Sequence, residues 1–246
     1  MCELFAQSSS VAAEADHALQ VLVRHGGDTG PHRDGWGIAY MHDGDALVVR
    51  EPNAAHDSAC LAFLHTKNPA TTQLIAHIRR ATQGAPLLRN TQPFQRELGG
   101  RVHLFAHNGM LPRVERLRVR WNRPIGDTDS EHAFCALLDR LRPLWERGTP
   151  DLADRLDEIA AFAAELRELG PANFLYSDGD ALFAHSHRRK DDRGAIEPPG
   201  LHVLERGSGM VLLASVPLTT ERWTPMEEGE LLAVRAGRVV ARRAAR

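Results

Sequence analysis

Apolar residues fall into short alternating or continuous runs between turn-formers, interrupted by a few stretches of helical spacing. WGIAYMHDGDALVVRE holds Asp43-Gly44 between two apolar runs, ANFLYSDGDALFAHS holds Asp178-Gly179, and ELLAVRAGRVVARR holds Ala236-Gly237. Such dipeptides between β-prone runs predict hairpins, because the tightest hairpin turns need positive φ. CELFAQSS, TQLIAHIRR, VHLFAHNG and GMVLLASV predict four more strands. Helical spacing predicts helices over 12–24, 129–142 and 151–168, with a shorter candidate over 58–65. Asp129-Ser130-Glu131 offers a helix start, since short polar side chains cap free N–H groups. The charged run from Arg188 to Arg193, followed by Pro198-Pro199-Gly200, reads as a surface loop. Strands come in hairpins and helices in separate blocks, which predicts an α+β fold of antiparallel sheets covered by helices. With no internal repeat and no Ser- or Gly-rich linker, residues 1–246 read as one domain.

Composition removes several function classes. Thirty basic and 32 acidic side chains leave a net charge of −2, so no basic excess points to nucleic acid. No apolar run reaches membrane-spanning length, and the N-terminus lacks a signal pattern. Cys2, Cys60 and Cys135 are too scattered for a disulfide framework, which makes the cytoplasm the simplest compartment. Cys60 and Cys135 lie in apolar periodic stretches and read as small core residues. His185-Ser186-His187 is a strand-spaced pair, but no Cys-x-x-Cys or His-Glu-x-x-His accompanies it, so no metal is expected. No Gly-rich phosphate loop follows a strand, and no cofactor is expected.

The start of the chain carries the chemistry. Removal of Met1 would leave Cys2 with a free amine and a thiol on one residue, a nucleophile with its own base. A free α-amine titrates at about 7.7–8.0, close enough to neutrality to accept the thiol proton. With Met1 retained, the amine is locked in a peptide bond and this chemistry is off. Cysteine at position two also arises by chance, so other segments must supply what the nucleophile needs. Four segments place polar residues at a strand end or helix start: HRDGWGIAY (32–40), HIRRATQG (77–84), AHNGML (106–111) and GDTDSEHAF (126–134).

With Cys2, and in this order, these segments resemble the class II glutamine amidotransferases, and the opening MCEL is similar to their small stand-alone YafJ-type branch. The resemblance covers most of the chain. It implies an N-terminal-nucleophile (Ntn) hydrolase fold, a four-layer αββα sandwich of two antiparallel sheets with helices on both outer sides. It also implies residue roles. Cys2 matches the nucleophile. Asn108 and Gly109 match the oxyanion hole, although Asn-Gly is equally a hairpin-turn signal. Arg79 matches the clamp on the α-carboxylate of glutamine, for which a guanidinium fork is suited. Thr82 matches a threonine near the substrate, and Gln83 stands where many members have His. Asp129 matches the acid that holds the α-ammonium; Asp127 is a neighbouring alternative, and a helix N-cap is a competing role for Asp129. Arg33 and Trp36 match the segment beside the nucleophile, where a cation would favour thiolate. The alternative makes Arg33 a surface residue and Trp36 the start of a core strand.

The function implied is that of a glutaminase or amidohydrolase. The Cys2 thiol opens glutamine or a γ-glutamyl amide, releasing glutamate and ammonia, with an acceptor enzyme as possible partner. A non-catalytic glutamine-binding module and a γ-glutamyl amide hydrolase of thiol metabolism are the alternatives. Ser215-Val216-Pro217-Leu218 and Trp223-Thr224-Pro225 read as sheet-edge and loop structure without a chemical role.

Overall fold

The computed structural model describes residues 1–190 and 194–245. The first half of the chain lays down β1 (Glu3–Ala13), α1 (His17–His25), β2 (Trp36–His42), β3 (Asp45–Glu51), α2 (Ala59–Lys67) and β4 (Thr71–Ile78). Next come β5 (Phe94–Leu98), β6 (Arg101–Gly109), α3 (Asp129–Trp145), α4 (Leu152–Leu169), β7 (Ala172–Ser177) and β8 (Leu182–His185). The remainder forms β9 (Arg189–Lys190), β10 (Ile196–Glu197), β11 (His202–Arg206), β12 (Met210–Ala214), β13 (Thr224–Pro225), β14 (Leu231–Arg235) and β15 (Arg238–Arg243).

Two large antiparallel sheets result, besides the two-stranded β9–β10 ladder. One has the order β13-β11-β12-β1-β4-β2-β3, the other β15-β14-β8-β7-β6-β5. Successive side chains on a strand point to opposite faces, and here both faces are buried. Leu4 and Ala6 of β1, Ile75 of β4, Leu104 and Ala106 of β6, and Leu175 of β7 pack together between the sheets. Phe5, Trp36, Ile38 and Tyr40 face outward onto Leu19 and Leu22 of α1 and Leu61 and Leu64 of α2. Phe105, Phe174 and Tyr176 face the other way, onto Phe134 and Leu138 of α3 and Ile159 and Phe162 of α4. These three apolar interfaces separate four layers, helix–sheet–sheet–helix, the arrangement that the family resemblance implied.

The three predicted hairpins form as β2–β3, β7–β8 and β14–β15. Asp43 and Gly44 both take positive φ, 48° and 86°, as a two-residue turn demands. The second hairpin differs, because the connection runs from Asp178 to Ala181. Asp178 Oδ1 accepts the Asp180 and Ala181 N–H groups at 3.0 and 2.8 Å. Several expectations are corrected. Residues 12 and 13 belong to β1, and α1 starts only at His17, where Asp16 caps the Ala18 N–H. At α3 the cap is Thr128, whose Oγ1 accepts the Glu131 N–H at 3.2 Å; Asp129 is already helical. Cys135 is buried but Cys60 is exposed, because it lies on the solvent side of α2. Part of the charged loop pairs instead as the short β9–β10 ladder, while Asp191, Asp192 and Arg193 lie outside the described residues.

Candidate active site

Cys2 stands just ahead of β1, which lies between β4 and β12 in the middle of its sheet. Pairing of Glu3 with Ile78 and of Leu4 with His77 carries the start of β1 to the end of β4, where Arg79 and Arg80 follow. The Cys2 Sγ lies 3.4 Å from both the backbone nitrogen and the carbonyl oxygen of Arg80. Burial pushes the thiol above its ordinary value, against the Arg80 N–H and the cations of the N-terminus and Arg79. Burial also lowers the Met1 amine, which favours its neutral form. A small cavity beside the sulfur is lined by Cys2, Arg79, Thr82, Gly109 and Asp129. Its volume of about 20 Å3 is that of one water, not of an amino acid side chain.

Asn108 and Gly109 do not form a turn. They are the last two residues of β6, paired with Asn173 and Ala172 of β7. Asn108 is fully buried, and its side-chain amide donates to the Cys2 carbonyl at 2.5 Å and to Ser215 Oγ at 3.2 Å. A Cβ on Gly109 would stand 2.0 Å from the Pro171 carbonyl and 2.4 Å from His107 Nε2, so no other residue fits there. Asn173 holds the strand end from behind, donating to the Asn108 carbonyl at 2.9 Å and accepting the His187 N–H at 2.7 Å.

Opposite them, Asp129 sits in the first turn of α3, where the helix dipole favours negative charge. Its Oδ2 accepts the Leu111 N–H at 2.8 Å and its Oδ1 the Ser130 N–H at 2.8 Å. No cationic side chain pairs with it among the described residues. Asp127 points elsewhere: it is exposed and paired with Arg89 at 3.1 Å. Hydrogen bonds from Asn90 and Arg89 hold its carboxyl below the ordinary value. Arg79 is buried, but its guanidinium is occupied. Nη2 donates to the carbonyls of Gln83 and Gly84 at 2.9 and 2.8 Å, and Nη1 to those of Ala85 and Asp34 at 3.0 and 3.4 Å. The 83–85 segment thus takes the donors that a carboxylate would need. Thr82, on the same segment, is exposed at the mouth.

A family profile described as glutamine amidotransferases class-II matches residues 1–208. The chain belongs to the class II glutamine amidotransferases. Among similar proteins, "Putative glutamine amidotransferase YafJ" of Escherichia coli strain K12 is 38% identical over 185 residues, 75% of this chain and 72% of that one. A protein with the same description, apart from the YafJ label, in Haemophilus influenzae is 30% identical over 98% of this chain and 86% of its own. A crystal structure titled as a predicted glutamine amidotransferase from Pseudomonas aeruginosa superposes with a TM-score of 0.67 at 30% identity, covering 98% of this chain and all of that one. The glutamine phosphoribosylpyrophosphate amidotransferase of B. subtilis has a TM-score of 0.62 at 18% identity, covering 95% of this chain and 47% of that longer chain, a likeness of fold.

Two of the expected residues of this amidotransferase are not brought to the thiol. Arg33 is exposed and donates to the Gly27 carbonyl. Trp36 is the first residue of β2, buried in the outer core against α1 and α2, with its Nε1 bonded to Glu51 at 3.1 Å. Residues 32–34 precede β2 in irregular backbone, and the neighbours of Arg33 make the contacts to the N-terminal and 79–81 segments instead. His32 Nε2 lies 2.8 Å from the Met1 carbonyl, and Asp34 Oδ2 accepts the Ala81 N–H at 2.7 Å. The other unanticipated contributors are Ser215 and Gln92. Ser215, assigned no role from sequence, is fully buried at the end of β12. It accepts the Leu4 N–H at 3.0 Å and donates its own N–H to the Leu4 carbonyl at 3.0 Å. Gln92 brackets His107, accepting its N–H at 2.6 Å. Neither had a motif around it. Burial drives His77 down to about 3, so it stays neutral near pH 7 and is no proton carrier there.

Proposed function

We propose that the protein is an amidohydrolase of glutamine or γ-glutamyl amides, with Cys2 as nucleophile once Met1 is removed. The observation that supports this reading most is the convergence of Cys2, Arg79, Thr82, Gly109 and Asp129 on one pocket from four separate segments. The freed Cys2 amine takes the thiol proton and the sulfur attacks the amide carbon. The carbonyl oxygen gains the charge and is met by an N–H of Asn108 and the backbone N–H of Gly109. For this, Asn108 exchanges its bond to the Cys2 carbonyl for one to the oxyanion. Collapse breaks the C–N bond, and the amine of Cys2 returns its proton to the departing nitrogen. Water then opens the thioester and glutamate leaves. Asp129 receives the α-ammonium. Arg79 receives the α-carboxylate after the 83–85 carbonyls withdraw.

The test begins with intact mass, to establish that Met1 is removed. A glutamine-analogue electrophile should then label the protein once, at Cys2, and glutamine should release ammonia in proportion. A label on Cys60, the exposed cysteine, with no loss of activity would overturn the assignment. A second reading, glutamine binding without turnover, is favoured by the raised thiol of the chain that still carries Met1. It predicts that Met1 is kept and that Cys2→Ser changes nothing.

A further inference from the structure

Next to the small thiol pocket lies a much larger cavity of about 900 Å3. The two share Arg80, Ala81 and Thr82 as a common wall. Glutamine would not fill it. Its departing nitrogen becomes ammonia, a group the size of one water at about 30 Å3. Cavities of about 300–1,000 Å3 are instead the size that encloses whole small molecules.

Among the described residues that line it, the charge left unpaired is positive. Arg80, Arg189 and Lys190 line the cavity, and no side-chain ion pair engages any of the three among the described residues. The Arg189 Nε is buried without a hydrogen-bond partner among the described residues. A buried guanidinium N–H left this way costs free energy that an acceptor on a ligand would recover. The one carboxylate among the described lining residues, Glu3, is already bonded to His25 Nδ1 at 2.7 Å. Met1 also lines the cavity, and its thioether accepts the Lys190 backbone N–H. Removing Met1 would therefore free the Cys2 amine and clear part of this space in one step.

We propose that this cavity holds the leaving half of the substrate, a primary amine bearing an anionic group such as a carboxylate or sulfonate. The proposal rests on the acyl-enzyme reading above and narrows its substrate class from glutamine to γ-glutamyl amides of anionic amines. The γ-glutamyl half occupies the thiol pocket. As the C–N bond breaks, the Cys2 ammonium gives its proton to the nitrogen, and the free amine departs into the cavity. Its anion lies against Arg80, Arg189 and Lys190 throughout. Water then hydrolyses the thioester.

The experiment compares γ-glutamylglycine and γ-glutamyltaurine with the neutral γ-glutamylethylamide and with glutamine. The mature wild type should favour the anionic amides in kcat/KM by about tenfold or more, the scale of a charge-assisted contact. The double variant Arg189→Ala/Lys190→Ala should lose that preference and keep its rate on glutamine. Equal rates on anionic and neutral amides, or a preference that survives in the double variant, would overturn the assignment. A binding arm separates this from failure of the chemistry. Calorimetry on Cys2→Ala protein should show the same order of affinities and the same loss in the triple variant. Charge-selective binding with no thioester formation would sink the nucleophile reading and keep the cavity. Thioester formation at one rate from every amide would do the reverse.

Discussion

At one end of the β6–β7 pair, Arg155 and Asp178 are both buried and bonded at 2.6 Å, and Asp180 takes the second guanidinium nitrogen at 2.7 Å. At the other end, Asn108 and Gly109 face Cys2 with their polar groups incompletely matched. Asn108 Oδ1, His107 Nε2 and both ring nitrogens of His77 are buried without hydrogen-bond partners among the described residues. The two ends share strands and burial and differ in degree: at the first, carboxylates take both terminal guanidinium nitrogens and Arg155 Nε is left without a partner among the described residues. A charge network ties α4 to the β7–β8 connection, its carboxylates already taken by Arg155 and Arg235. The thiol end carries donors and acceptors that cost stability until something binds, which is how a site stores binding capacity.

Breaking each end should therefore give different phenotypes. The largest effect is expected at Cys2. Cys2→Ala should lower kcat by on the order of 10⁶, the cost of deleting a nucleophile, with little change in the urea midpoint. Arg155→Met should do the opposite, destabilising by about 3–5 kcal/mol because Asp178 is left buried and unpaired. Urea unfolding reads that loss, and kcat on glutamine in native buffer should stay within a few-fold of wild type. Asn108→Ala should lower kcat by about 10²–10³ with a smaller change in KM, as loss of one oxyanion donor does. Ser215→Ala touches both behaviours at once. It strands the Leu4 N–H and releases the Asn108 amide, so about 1–3 kcal/mol of stability should go together with part of kcat.

The smallest effect is a pH dependence next to the thiol. The Glu3 hydrogen bond holds His25 above its ordinary 6.5. Burial opposes the Glu3 carboxylate, but the His25 bond and the nearby cations hold it below its ordinary 4.5. The His25 contribution is complete below pH 6.5 and lost as pH rises through its raised value. The Glu3 contribution is complete above pH 4.5 and lost as pH falls through its lowered value. The pair should thus help most between those two values. His25 is partly exposed, so the gain is under about 1 kcal/mol. Urea midpoints of wild type and His25→Gln, measured from pH 4 to 8, should differ most in that window and converge on the alkaline side.

The strands and helices were legible because each carries its own signal. Alternating or continuous apolar runs, Asp-Gly and Ala-Gly turns and helical spacing act locally, and the three hairpins, α3 and α4 form as read. β5 and β11 were missed because FQREL and HVLER are short and mostly polar, although each pairs with the strand that follows it, β6 and β12, across a short turn. In the site, Cys2, Asn108, Gly109, Arg79, Thr82 and Asp129 were picked out through motif resemblance, and all but Asn108 line the thiol pocket. Arg33 and Trp36 were picked out from the same kind of resemblance and point elsewhere.

Local pattern by itself determined most of the segments that become strands and helices and which face of each is apolar, because φ/ψ preference and side-chain period act over a few residues. Resemblance added the family and the order of its motifs. Which residues of this motif bond to the Met1 carbonyl and the Ala81 N–H, His32 and Asp34 rather than Arg33, was decided only when β1 settled between β4 and β12. The same packing brought Ser215 to Leu4 across more than two hundred residues and to the Asn108 amide, and opened a cationic cavity beside the thiol pocket. Contacts of that kind depend on register and on the stacking of two sheets, and no window of sequence contains them.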